Sequence, residues 1–401
     1  MSRLAAYLQN LQRFGIQPGL ERIVALLGSV GNPHLSYPHI LVGGTNGKGS
    51  TCEFAARMLA QSGRKIGLFT SPHLYEWNER IRVLPGIGLF EGAIEDDELD
   101  SLFDDGLPHI EAVARELGQP TEFEVLTFLG LWHFARSSVD AAVIEVGLGG
   151  KWDATNASNP LVSAVTHVAL DHMDRLGNTL EEIACDKVCI ARTGRPFVTG
   201  EWKPEVLRMF EEHCEKVGAQ FGVIKPPFVD DFQQINNHLA QNIVRVFGDQ
   251  LGWDVLTDGA EMPVVGRHEV LQHDPRLIID GANNPEGAGA LVDFLNHDRP
   301  SHQRIVLVLG ILKDKDWREM TRILVGEAEV VVCCESDSPR ALDAGELATF
   351  ARTIHGHVEV VRDVKSAVER ARELAQAQDT ILVTGSFTTI AAVPRGLNSS
   401  P

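Results

Sequence analysis

HILVGGTNGKGST, residues 39–51, carries the clearest signal in the chain: an apolar run of strand length enters a Gly-rich turn bearing Lys48, and a helical pattern, CEFAARMLAQSG, follows from Ser50. Glycines let successive backbone N–H groups converge on phosphate oxygens, a helix N-terminus adds the positive end of its dipole, and a lysine supplies a point charge. The stretch therefore predicts a nucleotide-phosphate cradle at the end of a buried strand. Its spacing departs from the common G-x-x-x-x-G-K-[ST] loop, because position 42 is Val and Gly49 stands between Lys48 and Ser50. An ordinary strand-to-helix turn with a solvated lysine would not require strand, glycines, lysine and helix start in this order.

On both sides of this stretch, apolar runs of strand length alternate with helical patterns, the rhythm of parallel sheets covered by helices. A first series of expected strands occupies residues 39–44, 65–70, 140–147 and 161–168; a second occupies 276–281, 304–310, 328–334 and 379–385. Between them lie the helical pattern FQQINNHLAQNIVRVF (232–247) and the polar, Gly/Pro-bearing TDGAEMPVVG (257–266), read as a linker. The 401 residues then divide into two α/β domains, 1–258 and 264–401. The segment between GRPFVTG (194–200) and FQQINN has room for one helix and one strand.

Composition sets the outer bounds. At 44% hydrophobic and 23% charged, the chain can build full cores. The 55 acidic against 36 basic residues give a net charge of -19, a surface that repels nucleic-acid backbones and anionic lipid. A small anion is still bindable, because salt screens the distant field within about 8 Å. MSRLAAYLQNLQRF at the start has helical spacing without an export-signal core, and no apolar run nears the roughly 20 residues that span a bilayer. The expectation is a cytoplasmic protein with no membrane or nucleic-acid partner. The six cysteines show no paired Cys-x-x-Cys spacing. Cys185 and Cys189 could face one way on a helix, but the absence of a neighbouring His or second pair argues against a metal there.

The loop GTNGKGS (44–50) resembles that of the Mur-ligase superfamily, in particular its folylpolyglutamate synthase and dihydrofolate synthase branch. Further matching blocks come in the same order: TSPHL (70–74), NERIRV (78–83), EFEVLTF (122–128), EVGLGGKWDATN (145–156), LDHMDRLGNTLEEIACDKVCIARTGRP (170–196), GRHEVL (266–271) and DGANNP (280–285). The resemblance implies an α/β architecture: a P-loop, Mur-ligase-like ATPase domain with a mostly parallel sheet, and a smaller Rossmann-like C-terminal domain. It implies an ATP-dependent ligase that phosphorylates a folate carboxylate and lets the amine of L-glutamate displace the phosphate, with one or two magnesium ions and a monomeric enzyme.

Residue by residue, the resemblance places ATP on Thr45, Asn46, Gly47, Lys48, Gly49 and Ser50, with Asn236 near the adenine, Arg267 near the phosphates and Asp280 near the ribose. Metal positions fall on Ser71, Glu145 and His172, and the catalytic set is Lys48, Lys187 and His172. Lys187 matches a lysine that is carbamylated in the superfamily. Folate contacts fall on Thr121, Phe123, Glu124, Trp152, Asp153 and Ala154. Read without the resemblance, several of these have plainer roles. Ser71 reads as a cap, Asp171-His172 as a hydrogen-bonded turn, and Lys187 as a surface lysine paired one turn away on a helix capped by Thr179 and Glu182. Phe123 reads as core, Asn236 as a solvated helix polar, Arg267 as a salt-bridged linker residue, and Asp280 as a cap for the helix at 285.

Four departures from the family pattern bear on the acceptor. Asn283 stands in place of the usual histidine of DGAHNP, and Lys151-Trp152 stand where Arg-Leu is usual. The segment after residue 200 is short, and Gln17-Pro18 occupy the place of a dihydropteroate-binding pair. The rival readings are a ligase of the same fold with another carboxylate acceptor, and a non-catalytic ATP-binding protein.

Overall fold

The computed structural model describes residues 3–11, 18–225, 231–257, 263–298 and 303–395. Gln17, the middle of the expected linker (258–262) and the end of the chain (396–401) lie outside the described residues. The chain divides into two compact units, Met1–Val229 with Gln233–Met262, and Pro263–Pro401 with Asp230–Phe232.

The first unit is built on a seven-stranded sheet. Its strands are β1 (His39–Gly43), β2 (Ile66–Phe69), β3 (Ile81–Leu84), β4 (Ala141–Glu145), β5 (Val162–Val165), β6 (Pro196–Thr199) and β7 (Gln220–Val223). They run in the order β3-β2-β4-β1-β5-β6-β7, all parallel except the β2–β3 pair. β1 sits at the centre and is wholly buried, which is why its sequence is a continuous apolar run rather than an alternation. The second unit holds a six-stranded sheet of β8 (Glu269–His273), β9 (Arg276–Asp280), β10 (Ile305–Leu309), β11 (Val330–Glu335), β12 (Val358–Asp363) and β13 (Thr380–Thr384). Its order is β12-β11-β10-β13-β9-β8, parallel but for the β8–β9 pair.

The eight strands expected from apolar runs are all present, and the structure adds five. β7, β8 and β12 are partly exposed edge strands, so nothing forces their sequences to be uniformly apolar. β3 carries Arg82, and β6 begins with Pro196, which is tolerated at a strand's first residue. One helix, Pro204–Val217, and one strand, β7, fill the short segment after residue 200. The helix after β1 runs Lys48–Gln61, two residues earlier than expected, because Gly47 takes a left-handed turn (φ 80) and puts Lys48 directly into the first helical turn. The helix Glu122–Arg136 approaches β2 so closely that a Cβ on Gly67 would lie 2.7 Å from the Phe134 ring. Among the described residues, no helix is long and apolar enough to cross a membrane.

A buried charge cluster ties the phosphate-loop helix to the sheet edge. Glu53 pairs with Arg57 one turn along its helix at 2.7 Å and with Arg82 of β3 at 2.7 Å, all three being buried. Removing one partner of a buried pair leaves an uncompensated charge. Glu53→Gln, which strands two guanidiniums, is expected to lower unfolding stability by about 3–5 kcal/mol in urea titration; a loss under about 1 kcal/mol would mean that water already solvates the cluster.

Candidate active site

The turn after β1 is fixed before any ligand arrives. At Gly44 (φ 139) an added Cβ would collide with Thr166 Oγ1, and at Gly47 (φ 80) with Asn236 Oδ1. Only glycine fits either position. Thr166 Oγ1 donates to the carbonyl oxygen of Asn46 at 2.7 Å, Thr45 N–H donates to the carbonyl of His167 at 2.9 Å, and Ala169 N–H donates to Thr45 Oγ1 at 3.0 Å. The loop is thus held by the segment leaving β5 on one flank and by the helix Phe232–Leu251 on the other. Asn236 is buried against Gly47, not solvated. Lys48 Nζ reaches back to the carbonyl of Thr45 at 3.2 Å, and Ser50 is buried in the first turn. The N–H groups of a helix's first turn have no intrahelical partner, and here, with the lysine beside them, they form an anion cradle.

Glu145 ends β4, in register with Val42 of β1, and is buried. Its Oε2 accepts from the backbone N–H of Ser71 at 2.9 Å, and both carboxylate oxygens lie 3.6 Å from where a Cβ on Gly49 would stand. A carboxylate therefore faces the phosphate loop, with the Ser71 segment anchored to it. Among the described residues no group of three or more His, Cys, Asp or Glu side chains is arranged to hold an ion. One hard carboxylate beside a phosphate cradle suits magnesium, which takes few protein ligands and fills its shell with phosphate oxygens and water.

Lys187, the last residue of the helix Leu180–Lys187, is buried, and its Nζ donates to the carbonyl oxygen of Gly44 at 2.8 Å. Burial, reinforced by the nearby Lys48 charge, pulls its ammonium down to about 7 against the opposing pull of Asp171, Asp186 and Asp153. Expected from periodicity as a surface lysine, it is a poised amine touching the loop instead. Thr179 caps its helix by accepting from Glu182 N–H at 3.2 Å; the Glu182 carboxylate turns to the N–H of Asn178 at 2.6 Å rather than to Thr179. His172, at φ 50, precedes the short helix Met173–Leu176; its N–H donates to Asp171 Oδ1 at 2.8 Å, and its Nε2 lies 3.8 Å from Asp171 Oδ2. Its link to the loop runs through Asp171, whose charge acts on Lys187.

The two segments expected to meet folate lie near Glu145. Phe123 packs on Gly147, where a Cβ would lie 2.5 Å from the ring, and its centroid is 6.0 Å from that of Phe69. Thr121 and Glu124 form a reciprocal capping box, and Glu124 also accepts from buried Arg22 at 3.1 Å. Asp153 accepts from the N–H groups of Leu148 (2.8 Å) and Thr155 (3.0 Å), and burial raises its carboxyl above the usual range. Ala154 is buried. The polar atoms of these segments are engaged within the fold, which leaves half-buried Phe123 and exposed Trp152, with Lys151 Nζ 4.9 Å above its ring, as their apolar surfaces.

Within the second unit, Asp280 ends β9 and accepts from the N–H of His268 (2.9 Å) and of Ala282 (2.8 Å). The cap of the helix Pro285–Asp298 is Asn284, whose Oδ1 accepts from Gly287 N–H at 2.8 Å, so Asp280 does not serve that helix. The Arg267 guanidinium lies 4.6 Å over the Phe387 ring. Sequence reasoning missed Thr166, whose polar side chain follows β5 directly. It also missed His167 and Trp202, whose rings stack at 5.5 Å beside Thr45, with Lys203 over the indole at 4.5 Å.

Known proteins resemble this chain along most of its length. Residues 266–387 match the family described as Mur ligase, glutamate ligase domain. A dihydrofolate synthase/folylpolyglutamate synthase of Bacillus subtilis is 31% identical, covering 98% of each chain. A probable bifunctional folylpolyglutamate synthase/dihydropteroate synthase of Haloferax volcanii is 33% identical over 96% of this chain, which spans about half (49%) of that relative's length. The crystal structure of a bifunctional folylpolyglutamate synthase/dihydrofolate synthase of Yersinia pestis, complexed with AMPPNP and a manganese ion, superposes with a TM-score of 0.82 at 28% identity, covering 98% of this chain and 97% of that one.

Two outcomes test this site. Gly47→Ala drives a side chain into Asn236 at a left-handed position, and is expected to weaken ADP binding at least about tenfold, read with a fluorescent ADP analogue. The lowered pKa of Lys187 means that, between about 7 and its ordinary 10.5, the folded chain binds fewer protons than the unfolded one. Stability in bicarbonate-free buffer therefore rises with pH across that window and is lowest below it, where both states carry the ammonium. Lys187→Met should flatten that rise in urea unfolding; an unchanged slope would assign it to other groups.

Proposed function

Because the chain belongs to the folylpolyglutamate synthase/dihydrofolate synthase family of Mur-type ligases, we propose that it is an ATP- and magnesium-dependent ligase adding L-glutamate to tetrahydrofolate, with dihydropteroate as a second acceptor. The observation that carries this reading is the convergence of Lys48, Glu145 and the near-neutral amine of Lys187 on one rigid phosphate loop.

A carboxylate becomes acylating only after its oxygen is turned into a leaving group. In this reading the loop N–H groups and Lys48 neutralise the terminal phosphates while a carboxylate oxygen of the acceptor attacks the γ-phosphorus in line and ADP departs. The glutamate amine then attacks the acyl carbon, loses a proton, and phosphate leaves. Glu145, with the Ser71 segment and His172, would hold magnesium, which supplies charge neutralisation for the transferring phosphoryl group. Lys187 is suited to react with carbon dioxide: its neutral amine forms an N–C bond, releases a proton, and becomes a carbamate anion facing the phosphates. The family resemblance assigns further nucleotide contacts to Asn236, Arg267 and Asp280. Phe123 and Trp152 offer the flat apolar surfaces that a pteridine requires. The reading makes the protein a cytoplasmic monomer.

ADP release with ATP and magnesium, measured for tetrahydrofolate and dihydropteroate in parallel, is expected to require a folate-type acceptor and L-glutamate together. Turnover without glutamate, or none with either acceptor, would overturn the assignment; activity confined to another carboxylate would point to the acceptor change that Asn283 and Lys151-Trp152 suggest. A 13C carbamate resonance after 13C-bicarbonate is expected to grow as pH rises through about 7 and to vanish in Lys187→Arg.

A further inference from the structure

Two thiols bracket Lys187 on its own turn. Cys185 is exposed and Cys189 half-buried, whereas Cys52, Cys214, Cys333 and Cys334 are all buried. The pair lies four residues apart, where the helix Leu180–Lys187 narrows into the 3-10 turn Val188–Ile190. Cys189 Sγ leans back to the carbonyl oxygen of Cys185 at 3.2 Å, which brings this thiol against the backbone of the residue one turn earlier. The same few residues are clamped to both sides of the site. Lys187 Nζ holds Gly44, Asp186 Oδ1 accepts from Lys151 N–H at 3.3 Å, and Asn156 Nδ2 donates to the carbonyl of Cys189 at 3.4 Å. Gly150 lies so close that a Cβ there would be 2.8 Å from the carbonyl oxygens of Asp186 and Lys187.

The geometry points to Cys185 and Cys189 as a reversible dithiol switch that sets the position of Lys187 and, through it, of the phosphate loop. Cα atoms four residues apart on a helix are about 6 Å apart, inside the roughly 4.4–6.8 Å a disulfide spans. Their Cβ atoms, about 5–6 Å apart on a regular helix, must close to about 3.8 Å. That closure tightens the turn around Lys187, and the close packing of Gly150 gives the backbone no slack on that side. The exchange balances with a low-molecular-weight disulfide as oxidant. The Cys185 thiolate displaces one thiolate from it, and Cys189 then loses its proton and attacks the Cys185 sulfur, expelling the second. Two protein thiols are oxidised and one disulfide is reduced to two thiols. Switches of this kind are the usual form of disulfide in reducing compartments.

The test incubates the full chain with glutathione disulfide. Non-reducing peptide mapping is expected to show a Cys185–Cys189 link, with affinity for a fluorescent ADP analogue falling about tenfold and returning with dithiothreitol. Cys185→Ser and Cys189→Ser should each keep the reduced protein's affinity and lose the response. Glutathione adducts without the link, a link that leaves ADP affinity unchanged, or the same loss in the double Ser variant would each overturn the proposal. The inference rests on the nucleotide site alone, so a failure of the ligase reading in the ADP-release assay leaves this outcome independent.

Discussion

A buried ammonium held by a backbone carbonyl oxygen is the contact on which this site turns. Lys187 reaches Gly44 from a helix far along the chain, and it does so at a place where burial penalises its charge. A carboxylate partner in direct contact would have held the proton firmly. A carbonyl dipole, with aspartates acting only at longer range, holds it weakly, and the amine stays close to neutrality. The same contact joins the helix carrying Lys187 to the phosphate loop, so the charge state of one side chain and the placement of the nucleotide share one structural element.

The rigidity of the loop follows from how it is enclosed. Gly44 and Gly47 meet Thr166 and Asn236 without space for a methyl group, and the carbonyl of Asn46 is claimed by Thr166. A loop held in this way loses little conformational entropy when phosphate arrives, so more of the interaction energy appears as binding or catalysis. Glu145 approaches from a neighbouring strand in the same sheet, which fixes a carboxylate beside the anion cradle at one edge with the precision of strand register. The buried Glu53 cluster anchors the following helix to β3, so displacement of the loop would have to move a packed helix with it.

What the sequence disclosed follows the same physics. Buried central strands such as β1 and β10 need uninterrupted apolar residues and were legible as such. The edge strands β7, β8 and β12 answer to solvent on one side and carry no such mark. The loop was legible because glycine, lysine and helix start have a fixed order along the chain. Thr166 and the Arg22–Glu124 pair were not, since their roles arise from approach across about 100 or more residues, 120 from Thr166 to Asn46 and 102 from Arg22 to Glu124. Lys187 shows both limits: its local pattern is that of an exposed helix lysine, and only the fold brings Gly44 over its Nζ.

The proposed acceptor end obeys a looser constraint, and Lys151-Trp152 stand there where the family resemblance leads one to expect Arg-Leu. Thr121, Glu124 and Asp153 direct their polar atoms inward to caps and ion pairs, so they shape the segments proposed to meet folate without offering hydrogen bonds from them. In the proposed reading, recognition would fall to surfaces, Phe123 against Gly147 and Trp152 beneath Lys151. An ammonium over an indole face is held by the ring quadrupole and lacks the planar fork through which arginine grips a carboxylate in two places. A flat acceptor that stacks on the indole would compete with Lys151 for that face and release its charge toward the acceptor's own carboxylates. In the proposed reading, selectivity at this end would depend on how the ring is shared between cation and ligand, whereas the phosphate end depends on backbone closely packed by Thr166 and Asn236.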